Sequence, residues 1–273
     1  MTSPRVIPDL IGNLYKLIPY SLFIVFTFFA LVFSPVVFAS AKSDYDYQYG
    51  QYRRSYFEFN LLKADYLQTP SLDNQQKAML LAKQTILSRD LAKASFSWYI
   101  LDLIGSTKTD YPPIQPIISS LAISRQFYLS EAQKSQSVIT QEDLKKFTLA
   151  YTKAVPHHDR MIKFGILANK LATLVRIQLD STTAIDDLVS KLPTSLPATV
   201  TARIQELRES TKVIDAKIDL LAKNLDFVES PESADAEIFF SSRVEKMAEI
   251  QTLQLDWIDR LIDLEKNYAQ PNR

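Results

Sequence analysis

The residues best equipped for chemistry stand at His157-His158-Asp159, where the chain's two histidines adjoin a carboxylate. A metal site on a helix needs ligands at i and i+4 on one face. Adjacent helical positions point about 100° apart, so these histidines cannot chelate one ion without outside ligands. The group follows Pro156, which points to a structural role at a kink or helix start, with Asp159 near the positive end of the dipole. Asp186-Asp187 and Asp259–Asp263 have the residue type for acid–base work. In glycosidases, however, two carboxylates must face each other across about 5–10 Å. Here they lie among lysines and arginines, the pattern of a solvated helix face. Serine nucleophiles lack a Gly-x-Ser-x-Gly elbow, and no glycine-rich phosphate loop occurs. No catalytic, cofactor-binding or metal residue is expected, and the chain reads as a non-enzyme.

Composition narrows the classes further. Basic and acidic residues balance at 31 each and are interspersed, so no concentrated basic face is available for nucleic acid. Four glycines in 273 residues are too few for the tight turns and phosphate loops of α/β enzymes. Cysteine is absent, which excludes disulfides, thiolate metal sites, cysteine nucleophiles and a lipidated cysteine.

The apolar run Leu17–Ala41 follows Arg5 and Lys16, has its densest core at Leu22–Phe33, and passes Pro35 before ending in Ala39-Ser40-Ala41. That is the order of a secretory signal peptide, with cleavage expected after Ala41. The competing reading is an uncleaved anchor, since Leu17–Phe38 approaches the ~20 apolar residues that span a bilayer.

The elements that follow read as helices. Residues 42–67 carry Tyr45, Tyr49, Tyr52, Tyr56, Phe59 and Tyr66 on one stripe, expected to pack on another helix or, alternatively, to stay exposed for a glycan or partner. Ser71 suits an N-cap, and Leu80, Leu87, Leu91, Ala94, Trp98 and Leu101 form the next stripe, closed by Gly105. Ile114, Ile117, Leu121 and Tyr128 line a third helix. Thr140 and Asp143 resemble a capping box. The helix they start is interrupted at Pro156, where either one helix kinks near Val155 or two helices meet, and carries Met161, Phe164, Ala168, Leu171 and Val175 beyond it. Asp180–Pro197 reads as the clearest break, with room for one short helix around Ala184–Leu192. From Val200 through Ile204, Leu207, Thr211, Ile214, Ile218, Leu221, Leu225 and Val228 the steps alternate between four and three, a heptad seam. The last helix continues with Phe240, Met247, Ile250, Trp257, Leu261, Leu264 and Tyr268. Arg243 and Gln254 are its polar breaks, and with Thr211 they are the only stripe positions that hint at an internal ligand.

The run Tyr45-Asp-Tyr-Gln-Tyr-Gly-Gln-Tyr-Arg-Arg-Ser-Tyr56, continuing to Lys63-Ala-Asp-Tyr66-Leu, resembles the start of uncharacterised exported helical proteins of small-genome uncultured bacteria. So does Ala78–Asp90, where a leucine/alanine stripe leads into Ser88-Arg89-Asp90. The resemblance implies an all-helical extracytoplasmic protein and transfers no functional residues.

The expectation is an all-α fold, an elongated antiparallel helical bundle with a C-terminal coiled-coil-like hairpin. Its segments are 1–41 (signal peptide or anchor), 42–137, 138–180 and 181–273. The expected function is a non-enzymatic structural or protein-interaction component of the cell envelope, outside the cytoplasm. Its partner is another protein or a second copy, and it touches membrane only if the leader is retained. The alternatives are a ligand-binding, sensor-like bundle and, last, a carboxylate-based hydrolase.

Overall fold

The computed structural model describes residues 40–225 and 233–268, with the side chains of 233–237 left aside. The export segment up to residue 39 and the seam position Val228 lie outside the described residues. The described residues belong to one compact unit, Ser40–Arg273. This unit is all-α among its described residues. Its described helices are α1 (Ala41–Gln68), α2 (Leu72–Ser106), α3 (Gln115–Gln136), α4 (Gln141–Lys191), α5 (Ala198–Lys223) and α6 (Ser233–Tyr268), with a 3-10 turn at Pro112–Ile114. No strand occurs among the described residues, and none of their helices is long and apolar enough to cross a membrane.

Helix starts follow local chemistry. Ser71 Oγ accepts from the Asn74 N–H at 3.1 Å. Thr140 and Asp143 form a reciprocal capping box, side chain to backbone in both directions. Ser40, which the sequence pattern puts inside the export signal, is the N-cap of α1: its Oγ accepts from Ser43 N–H, and Ala41 is already helical and buried.

α4 is the shared element. Its first half packs on α2 and α3 and its second half on α5 and α6. The helix runs unbroken through both Pro156 and Asp180. The break expected at Asp180–Pro197 shrinks to the residues after Lys191, so the expected segment boundary at residue 180 falls inside a helix. The polar run that suggested a loop is helix-compatible here. Asp180 pairs with Arg176 one turn earlier at 2.8 Å, and the Thr182 and Thr183 hydroxyls bond back to the Gln178 and Leu179 carbonyls. Ile185 and Leu188 then continue the buried face.

The stripes of α3, α4, α5 and α6 lie where the spacing predicts. Ile114, Ile117, Leu121, Tyr128, Phe164, Ala168, Leu171 and the described apolar seam residues of α5 are all buried, as are Met247, Ile250, Trp257 and Leu264, while Phe240, Leu261 and Tyr268 of the α6 stripe are half-buried. In α2 the outcome differs. Leu80 and Trp98 are exposed and Leu87, Leu91 and Leu101 only half-buried, while Thr85, Ser88, Ala92 and Ser95 face α1 and Asp90, Ala94 and Ser97 are buried as well. Ser55 of α1 meets Ser88 hydroxyl to hydroxyl at 2.7 Å, and Thr85 Oγ1 donates to the Ser55 carbonyl at 3.0 Å. Small side chains let the backbones approach, and hydroxyls close the polar gaps this leaves. Gly105 does not end α2 either: the helix reaches Ser106, and the left-handed residue is Lys108, with φ 51°.

Two glycines within helices have opposite surroundings. A Cβ at Gly165 of α4 would stand 2.7 Å from Leu121 Cδ2 and 3.2 Å from Ile100 Cγ2, whereas a Cβ at Gly50 of α1 would meet nothing within 4 Å. Gly50→Ala should therefore stabilise by about 0.5–1 kcal/mol through helix propensity alone. Gly165→Ala should lose about 1 kcal/mol, because overpacking of about 1–3 kcal/mol exceeds that gain. Urea unfolding of both variants checks the pair, and equal signs would contradict the packing.

Candidate functional site

Where α2, α3 and α4 meet, the interior holds an unusual concentration of polar groups. Asp90, fully buried, takes Arg89 Nε at 2.8 Å, Arg89 Nη2 at 3.2 Å and the Tyr151 hydroxyl at 2.9 Å. One helical turn along, Asp159 Oδ1 accepts from Lys93 Nζ and from the buried Tyr128 hydroxyl, both at 2.6 Å. Each carboxylate thus has one cation from α2 and one tyrosine hydroxyl from a neighbouring helix. The cations also cover the rings: Arg89 lies 3.8 Å above the Tyr151 centroid and Lys93 5.2 Å from that of Tyr128.

The electrostatics follow from burial. Loss of water pushes the Asp90 carboxyl above the usual carboxylate range, opposed by Arg89 and Tyr151. Burial first, and then the adjoining carboxylate, holds Tyr128 well above the ordinary phenol value. Tyr151 is raised in the same way, by burial and by Asp90. Both phenols therefore donate and keep their protons at neutral pH. Arg89 stays charged because Asp90 outweighs the effect of its burial.

His158 sits beside this network. Its ring stacks on Phe127 at 3.8 Å and its Nδ1 lies 3.1 Å from Ser124 Oγ. Burial, then the neighbouring His157, lowers its pKa, so the ring is neutral at pH 7. Of the two settings expected for His157-His158-Asp159, the helix start is corrected: the group lies within α4, away from its positive end, and Asp159 is a cross-helix acceptor. His157 points to solvent. Among the described residues no group of three or more His, Cys, Asp or Glu is placed to hold a metal ion.

The other sequence candidates are dispersed. Asp186, Asp187, Asp259 and Asp263 are exposed, and Asp186 pairs with Arg208 of α5 at 3.3 Å. The three polar stripe positions are engaged across helices. Gln254 Nε2 donates to the Leu174 carbonyl at 2.8 Å, the Thr211 carbonyl accepts from Gln178 Nε2, and Arg243 Nε donates to the Asn224 carbonyl. Sequence reasoning missed Arg89, Asp90, Lys93, Tyr128, Tyr151 and Asp159 as a set. The available signal was the polar residues Asp90, Lys93 and Ser97 on consecutive turns of one face of α2.

A cleft opens next to the network. α1 and the start of α4 both pack along α2 and leave an apolar trough between them. One cavity of 460 Å³ and another of 270 Å³ share Phe59, Ala82 and Leu144 in their walls, and the smaller one ends at Arg89 and Tyr151.

Asp90→Ala should lose about 3–5 kcal/mol, since it strands the Arg89 charge in the interior. Tyr151→Phe, which removes one donor to a charged acceptor, should lose about 1.5–3 kcal/mol. The folded Asp90 carboxyl holds its proton to higher pH than the unfolded one. Its contribution is therefore fully present below the usual carboxylate value and falls as pH rises through the raised one. The stability of the natural chain relative to Asp90→Asn should accordingly grow on acidification, as read by denaturant melts at several pH values. In comparisons with protein-family models, curated proteins and solved structures, nothing matches this chain.

Proposed function

We propose that this chain is a non-enzymatic interaction protein of the cell envelope, acting outside the cytoplasm. The observation that carries this reading is α1. Tyr47, Tyr49, Tyr56, Phe57, Leu61 and Leu67 are 44–68% exposed, while only Ala41 and Ser55 of that helix are fully buried. Large apolar and aromatic side chains left exposed at several positions along one helix mark an interaction surface. Tyr45, Tyr52, Phe59 and Tyr66 turn inward while Tyr49 and Tyr56 do not, so the aromatic stripe serves both packing and surface. Asp90 and Asp159 are each held by a cation and a tyrosine hydroxyl of the chain itself, which favours a bracing role for them over catalysis.

The apolar run before Ala41 supports export. The N-cap refines where a cut would fall. Cleavage after Ala41 would remove Ser40, a loss of about 1 kcal/mol in helix stability, whereas cleavage after Ala39 keeps it. A second reading, a ligand-binding bundle, is favoured by the trough between α1 and α4.

Two measurements test the leading reading on the full chain, exported with its leader. N-terminal sequencing of the product should begin at Ser40; a start at Lys42 would show the cap is dispensable, and retention in the cytoplasm would remove the envelope assignment. A photocrosslinker at Phe57 should trap one discrete partner or a second copy. The adduct should vanish in Tyr47→Ser/Leu61→Ser while the helical circular-dichroism signal is unchanged. A monomer with no adduct would overturn the reading.

A further inference from the structure

The trough has chemistry as well as shape. Its floor is the α2 face from Met79 through Ala82 to Arg89, about 15 Å at the helical rise, and Phe59 and Leu144 are its facing walls. Among the described residues, the charged side chains on its lining are Lys63 and Arg89, and no carboxylate lines it. Volumes of 460 and 270 Å³ fall near the range of about 300–1,000 Å³ typical of small-molecule sites. The cations differ in setting. Lys63 is exposed on the wall. Arg89 closes the inner end, its side chain 27% exposed, with Nε and Nη2 engaged by Asp90. Its Nη1 has no hydrogen-bond partner among the described residues. A guanidinium carries five donors in a fixed fork, so one held by a buried carboxylate on one edge still offers another edge to a second anion.

We propose that this trough binds a single-chain amphiphile with an anionic head group, its hydrocarbon tail along α2 and its head against Arg89. The proposal rests on the ligand-binding reading above and names the ligand class for it. The positive lining selects the charge of the head. The apolar walls and a length matching an extended dodecyl chain select the tail. Asp90 and Tyr151 act as positioning residues, holding the guanidinium at the mouth of the inner end.

The test is calorimetric titration of the full chain, below the micelle concentration, with three probes whose alkyl tails differ by at most one carbon: dodecanoate, dodecyl maltoside and dodecyltrimethylammonium. Dodecanoate should bind one to one and about tenfold or more tighter than the cationic probe, the worth of one charge-assisted hydrogen bond. Arg89→Gln/Asp90→Asn removes the ion pair as a unit and strands no buried charge. It should bring dodecanoate down to the affinity of the maltoside and leave the maltoside unchanged. Ala82→Phe fills the shared middle of the trough and should abolish binding of all three, with the helical signal retained in both variants. Equal affinity for the three probes, or full dodecanoate affinity in the double variant, would overturn the anionic-head assignment while leaving an apolar ligand site. Absence of binding by every probe would overturn the ligand-binding reading itself.

Discussion

Pro156 removes one backbone donor from the middle of α4, and its ring opposes the carbonyl four residues back, a penalty of about 3 kcal/mol in a helix interior. The helix nevertheless continues for 51 residues, and both halves of the bundle are assembled on it. The side chains flanking the proline are the ones tied across to other helices: Tyr151 to Asp90 before it, Asp159 to Lys93 and Tyr128 after it. Hydrogen bonds to charged groups contribute about 1.5–3 kcal/mol each, so this bracing is large enough to offset the proline. Continuity of α4 through its weakest point is the constraint on which the arrangement of α2, α3, α5 and α6 depends.

The same bracing explains why α2 is rich in small and polar residues where a leucine stripe would be expected. α2 is covered by α1 on one side and by α3 and α4 on the other. A helix enclosed on two sides gains by close approach, and Ser88, Ala92, Ala94, Ser95 and Ser97 permit it. The larger leucines are displaced to the half-buried flanks, and Met79, Ala82 and Ile86 of α2 with the walls of α1 and α4 give the trough its apolar character. Bracing network and trough are thus two consequences of one packing choice, and Arg89 belongs to both.

Legibility varied with the kind of signal. The seams of α5 and α6 were readable because each helix buries one stripe against two neighbours, the geometry for which heptad spacing is diagnostic. Thr140 and Asp143 were readable because a capping box is local. The interior of α2 was not, since periodicity weighs leucine as core and serine as surface. The network was invisible for a related reason: Asp90, Tyr128, Tyr151 and Asp159 are spread over 70 positions, and each alone is an unremarkable polar residue of a helix.

The sequence by itself determined that the unit is all-helical, where most helices start, which faces of α3, α5 and α6 are buried, and the lack of thiol chemistry. These depend on interactions within a few turns of one helix or on composition alone. Tertiary structure decided that α4 passes through Pro156 and Asp180, that α2 is clasped on two faces, and that a buried carboxylate of α2 and a half-exposed one of α4 join neighbouring polar contacts. It also decided that α1 and α4 flank α2 with a trough between them. Those outcomes depend on which helices come together and how closely, and no single segment encodes that distance.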